Sequence, residues 1–113
     1  MKLRRTAFIC LSSLCLLAAT LAGCGGREGS ICDKLITCEG GNDADRSACV
    51  NSYVRQTQVY SSYKCGESWS KYLECLDASA LCNSGRLQSN NCSDNRTAAL
   101  ACVNAASAYG FKF

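Results

Sequence analysis

The fold turns on the stretch Glu67-Ser68-Trp69-Ser70-Lys71-Tyr72-Leu73-Glu74-Cys75-Leu76-Asp77-Ala78-Ser79-Ala80. Trp69, Tyr72, Leu73, Leu76 and Ala80 fall at i, i+3, i+4, i+7 and i+11, the stripe of a helix with one side turned to a core. Glu67 suits the positive N-terminal end of that helix. Downstream, Asn83-Ser84-Gly85 through Asn90-Asn91 reads as a polar loop. Ser93 then reads as the cap of a further helix whose apolar face is Ala99, Cys102, Val103 and Ala106. The small side chains on that face permit a close approach to the Trp69 helix.

Upstream, the chain also reads helical, and it contains no proline to interrupt it. Glu39-Gly40-Gly41-Asn42 is a stop and a turn. A helix is expected from Asp43–Asp45 towards Tyr60, with Cys49, Val50, Tyr53, Val54 and Thr57 on one broad face. Before the turn, Ser30 is the expected cap of a short first helix, with Asp33 near its start and Leu35 and Ile36 on its apolar side. The expected fold class is all-α: a small disulfide-stapled bundle of about four short helices, arranged as two helical hairpins.

The N-terminus reads differently. Met1-Lys2-Leu3-Arg4-Arg5 is a compact cationic start, followed by an apolar run from Ala7 to Ala22 broken only by Ser12, Ser13 and Thr20. About 20 apolar residues are needed to cross a bilayer, so this is the layout of an export signal. The segment Leu21-Ala22-Gly23-Cys24 resembles the lipobox of bacterial lipoprotein precursors. That resemblance implies cleavage after Gly23 and a diacylglyceryl thioether on the Cys24 sulfur. It divides the chain into a signal peptide (1–23), a lipidated tether (24–30), a cysteine-rich helical domain (31–108) and an aromatic tail (109–113). A tether from Gly25 to Ser30 reaches at most about 20 Å at ~3.5 Å per residue. The alternative is ordinary signal peptidase acting at Thr20-Leu21-Ala22, which would release a secreted protein.

Cysteine parity separates the two. Of the 11 cysteines, Cys10 and Cys15 leave with the signal. If Cys24 carries lipid, then Cys32, Cys38, Cys49, Cys65, Cys75, Cys82, Cys92 and Cys102 form an even set for four disulfides; simple secretion would orphan one thiol. A domain this small buries little apolar surface, and cross-links at about 2–4 kcal/mol each offset that deficit. The helical reading favours Cys75–Cys102 across the last hairpin, with Cys82–Cys92 closing its loop. The nine-residue spacing within Cys65/Cys75 and within Cys92/Cys102 looks like the twin C-x9-C helical hairpins. That resemblance implies Cys65–Cys102 and Cys75–Cys92 instead.

A second likeness covers most of the mature chain. Cys65-Gly66-Glu67, Trp69, Tyr72-Leu73-Glu74-Cys75-Leu76, Cys82, Cys92 and Ala98-Ala99-Leu100-Ala101-Cys102-Val103 resemble small cysteine-rich lipoproteins abundant in myxobacteria. The resemblance implies an envelope location and a helical fold. It implies no activity and carries over no catalytic residue.

Composition narrows the function classes. The chain of 113 residues has a formal charge of +3, and Lys2, Arg4 and Arg5 account for that excess; the remainder holds nine basic and nine acidic side chains. No basic stripe is left for nucleic acid. Histidine is absent, there is no C-x-x-C pair and no G-x-S-x-G elbow, so no catalytic, cofactor or metal-binding constellation is expected. Asp43 and Asp45 read as helix-capping carboxylates, and Glu67, Glu74 and Asp77 as a solvated helix edge. Tyr60 and Tyr63, flanking Ser61-Ser62 near a helix end, are the candidate binding surface. The tail Tyr109-Gly110-Phe111-Lys112-Phe113 could fold back, fray or add to a partner's edge.

The expected protein is therefore lipid-anchored and non-catalytic, a binding or structural accessory of the bacterial cell envelope, with the outer membrane as its expected site. Its expected partners are the membrane, through Cys24, and an envelope protein. The alternative is a secreted inhibitor or toxin-like effector, and a thiol-redox protein comes third.

Overall fold

The computed structural model describes residues 26–108; the signal segment, Cys24 and residues 109–113 lie outside the described residues. Four helices follow one another: α1 (Gly26–Glu39), α2 (Asp43–Ser62), α3 (Gly66–Ser79) and α4 (Ser93–Ala106). Between α3 and α4 stand two short strands, β1 (Leu81–Asn83) and β2 (Arg86–Gln88), and a single 3₁₀ turn (Asn90–Cys92). α1 with α2 and α3 with α4 form antiparallel hairpins, and α3 packs on the other three helices.

Local chemistry accounts for most of these boundaries. Gly40 ends α1 at φ +79°, a left-handed conformation that suits glycine, and its N–H donates to the Ile36 carbonyl at 3.0 Å. Asn42 caps α2: its Oδ1 accepts from the Ala44 and Asp45 N–H groups, while the Asp45 carboxylate accepts from the Asn42 N–H at 2.9 Å. This reciprocal box satisfies donors that the first turn leaves open. The carboxylate read as a cap, Asp45, thus takes that role with Asn42 as its partner.

Three sequence expectations are corrected. The first helix begins at Gly26, not at Ser30, so residues 26–30 are helical rather than an extended tether. The reason is tertiary: Arg27, Glu28 and Ser30 all find partners on α2 or α3 that reward the extra turn. Ser93 is the first residue of α4 and makes no cap; Cys92 precedes it in the cap position. The polar loop contains a hairpin, with Cys82 opposite Leu87 and Asn83 opposite Arg86. Its turn is Ser84-Gly85, both at positive φ, the geometry a two-residue connection requires.

The core is small. Ile31, Tyr60, Cys65, Trp69, Leu73, Leu76, Cys92, Ala99 and Val103 form one buried cluster. The expected stripe on α3 is present through Trp69, Leu73 and Leu76, with Tyr72 half-buried beside them. α2 buries Val50 and Tyr60, while Val54 is left 38% exposed because the helix turns its Val50–Tyr53–Thr57–Tyr60 side inward. On α4, Ala99 and Val103 are fully buried but Ala106 faces solvent.

All eight downstream cysteines are paired: Cys32–Cys49, Cys38–Cys82, Cys65–Cys102 and Cys75–Cys92. The Cys75–Cys102 and Cys82–Cys92 pairing is overturned, and the twin C-x9-C arrangement is the one present. In α3 and in α4 alike, one cysteine precedes the first residue and the other is the tenth. At 1.5 Å per residue the two cysteines of each helix stand about 15 Å apart, so antiparallel packing brings both rungs into register. The β-hairpin carries Cys82 away from Cys92 and out to Cys38 on α1. Each helical hairpin is thereby stapled, and one further bridge ties the first half to the second.

Polar contacts align α1 along α3. The Arg27 guanidinium donates to the Ser70 carbonyl and hydroxyl at 3.2 and 3.0 Å. Ser30 donates to Asp77 Oδ1 at 2.6 Å, and Lys34 reaches the same carboxylate at 3.2 Å as well as the Asp77 carbonyl. Asp77 is therefore more than a solvated helix edge. The Ser30 hydrogen bond, then that of Lys34, holds its carboxyl below the usual aspartate range. A folded-state pKa below the unfolded value gives stability that is complete at neutral pH and is lost as pH falls through the folded value. Asp77→Asn is expected to lower the thermal midpoint at pH 7 and to flatten its decline below about pH 4, as read by circular dichroism across an acid series.

Candidate functional site

Trp69 organises the centre of the molecule. Tyr60 stacks on it at 4.4 Å between ring centroids and 9° between planes; Tyr72 and Tyr53 lie tilted at 5.3 and 6.3 Å. The indole Nε1 donates to Thr57 Oγ1 at 2.9 Å, and the Thr57 hydroxyl donates to Glu28 Oε1 at 3.1 Å. One relay thus links α3, α2 and the first turn of α1. It leaves no buried polar atom of the indole unpaired, as buried donors require.

α2 and α4 flank α3, and a cleft of about 520 Å³ runs between them over the aromatic floor. Tyr53, Gln56 and Ser52 come from α2, Trp69 and Tyr72 from α3, and Arg96 and Leu100 from α4. A second depression of similar volume continues from Tyr72, Arg96 and Leu100 towards Ser89, Asn90 and Thr97. Arg96 makes no salt bridge among the described residues and is exposed between the two. Burial pushes the Tyr53 and Tyr72 phenols above their ordinary range, with Arg96 acting in the opposite sense.

This surface offers ring faces, neutral phenol hydroxyls, side-chain amide and hydroxyl groups and one guanidinium. Aromatic faces with a cation and few convergent polar groups suit recognition of a partly apolar ligand. The cleft lining holds no carboxylate, and its one cysteine, Cys49, is committed to a disulfide. Among the described residues, no group of three or more cysteine or acidic side chains is placed to hold a metal ion.

Of the two tyrosines named from sequence, Tyr60 lines the floor of that cleft and Tyr63 does not. Tyr60 is 3% exposed and stacked in the core, and Tyr63 is half-buried against the same cluster. The half-exposed tyrosines of the cleft are Tyr53 and Tyr72, which helical period had assigned to packing. Period reports which side of a helix faces inward, but not that α2 and α4 stop short of closing over α3. Arg96 carried no distinguishing signal beyond its charge. A separate, more apolar depression lies at the β-hairpin beside Leu81, which is 70% exposed.

Comparison with protein-family models, with curated proteins and with solved structures finds no match for this chain. The four disulfides are compatible with an extracytoplasmic location, where such bonds persist. Among the described residues no helix is long and apolar enough to cross a membrane.

Proposed function

We propose that this chain is a lipid-anchored, non-catalytic accessory of the bacterial cell envelope, most simply at the outer membrane, presenting a disulfide-stapled helical module. The observation that carries the reading is the complete pairing of the eight cysteines after Cys24. They satisfy one another, which leaves Cys24, placed by Leu21-Ala22-Gly23 at a lipobox, as the odd thiol suited to lipid. The redox alternative loses support, since four structural bridges leave no downstream thiol for exchange.

The early start of α1 tightens the reading. Only Gly25 separates Cys24 from the helix, so a lipid there would hold the module directly at the bilayer surface. The phenols, amide and single guanidinium of the α2–α3–α4 cleft support binding over catalysis, because no acid–base pair converges there.

Intact-mass measurement of the mature protein, with peptide mapping of Cys24, is the test. The expected result is a chain beginning at Cys24 with a diacylglyceryl addition and eight oxidised cysteines. A lipid-free chain beginning after Ala22 would sink the anchor and favour a secreted effector.

A further inference from the structure

Hydrogen-bond donors converge on the α2–α3–α4 cleft. Tyr53, Tyr60 and Tyr72 all line it, each ring held in place against Trp69. Among the described residues, none of their hydroxyls bonds to another protein group. The Tyr60 ring is core, yet no buried side-chain oxygen is without a partner; its hydroxyl is therefore the part that reaches the open cleft. Burial raises all three phenols above their ordinary range, and the Arg96 charge opposes that rise at each. The guanidinium thus stands within electrostatic reach of three neutral O–H donors.

Arg96 itself is exposed and has no salt bridge or side-chain hydrogen bond among the described residues. It is the one charged side chain lining this cleft or the depression that continues from it. Every other charged side chain of α2, α3 and α4, Asp94 and Glu74 included, lies outside both linings. The donors therefore face no anionic group of the protein. Around them the surface is apolar, with the half-buried Tyr53, Tyr72 and Leu100, while Gln56 and Ser52 add an amide and a hydroxyl from α2.

We propose that the cleft binds the carboxylate of a small ligand whose body is an aromatic ring. A guanidinium meets a carboxylate through two parallel hydrogen bonds, and phenol O–H groups donate to the lone pairs left over. One cation balances one negative charge; a phosphate monoester, at about −1.5 to −2, would bring more charge than the cleft offsets. The ligand ring then lies against Tyr53 and Tyr72, where offset or edge-to-face contact is favourable. A free aryl acid and a peptide ending in an aromatic residue share this chemistry. The assignment rests on the reading of the module as a binding accessory and is independent of its lipid.

The experiment is a nuclear magnetic resonance titration of the isotope-labelled mature full chain in zwitterionic detergent. N-acetyl-phenylalanine is expected to shift the Arg96 side-chain N–H and the Tyr53, Tyr72 and Leu100 signals, saturating with a Kd of about 1 mM or tighter. Its neutral amide should bind at least about tenfold more weakly. Arg96→Gln, at an exposed position, should cost about tenfold to a hundredfold, the range of a hydrogen bond to a charged group. Tyr53→Phe and Tyr72→Phe keep their rings and should each weaken binding several-fold. Phenylacetate separates the two sources: equal affinity assigns a free aryl acid, and tighter binding of N-acetyl-phenylalanine assigns a chain terminus. Failure to saturate, equal binding of acid and amide, or unchanged affinity in Arg96→Gln overturns the carboxylate site. Glucuronate binding as tightly as the aryl acids overturns the aromatic body. Intact mass on the same sample reports the lipid separately. A lipidated chain that binds no acid sinks this site alone, and a lipid-free chain that binds it sinks the anchor while the site stands.

Discussion

Full reduction of the four disulfides is expected to abolish the cooperative unfolding transition of this module at ambient temperature. The bridges close segments of 17, 17, 37 and 44 residues. Taken singly, loop-closure entropy assigns about 3 kcal/mol to each short closure and about 4 kcal/mol to each long one. The closures overlap in sequence and do not add fully. Even half their combined effect matches the total stability of a domain this size, which is on the order of 5–10 kcal/mol. The core has little in reserve, since three of its nine members, Cys65, Cys92 and Ala99, are small. Far- and near-ultraviolet circular dichroism with and without a strong reductant reads the effect. A reduced protein that keeps a sharp transition near the oxidised midpoint would show that packing, and not cross-linking, holds the helices.

The second large effect is expected at Trp69. Trp69→Ala with the disulfides intact should destabilise the fold by about 3–5 kcal/mol, the cost of emptying a large aromatic site. The substitution removes the ring against which Tyr60 stacks and Tyr53 and Tyr72 lean. It also strips Thr57 of its indole donor. Trp69→Phe separates the two contributions: it keeps a ring for Tyr60 but loses the hydrogen bond, worth about 1 kcal/mol with some further loss from the smaller ring. Denaturant titration followed by circular dichroism measures both variants, because Trp69 is the only tryptophan and its own fluorescence is lost. Equal losses for the two would mean that the hydrogen-bond relay, and not the stack, is what the site supplies.

These effects converge on the α3 stretch, whose stripe was legible because a helical period is a local property. Trp69, Leu73 and Leu76 had to share a side once the segment was helical, and that side had to be buried. The turn at Gly40-Gly41-Asn42 was legible for the same reason. Other features were not local. The length of α1 depended on Ser70, Thr57 and Asp77, more than 25 residues away, which give Arg27, Glu28 and Ser30 their partners. Tyr60 looked like a surface residue near a helix end until the α2–α3 corner folded it onto Trp69.

The cleft follows the same division. Its residues were visible in the chain, but Tyr53, Tyr72 and Arg96 become one surface only through the spacing of α2 and α4 across α3. By itself the sequence determined that four helical segments form and that an even number of cysteines follows Cys24, since both follow from neighbouring residues and a count. Which cysteine meets which was decided only by the tertiary structure. Pairing depends on the relative register of α3 and α4 and on the hairpin that carries Cys82 out to Cys38, and no local propensity encodes that register. That register is the one in which Ala99 and Val103 share a core with Leu73 and Leu76, and it sets the cysteine pairs at distances a disulfide can span.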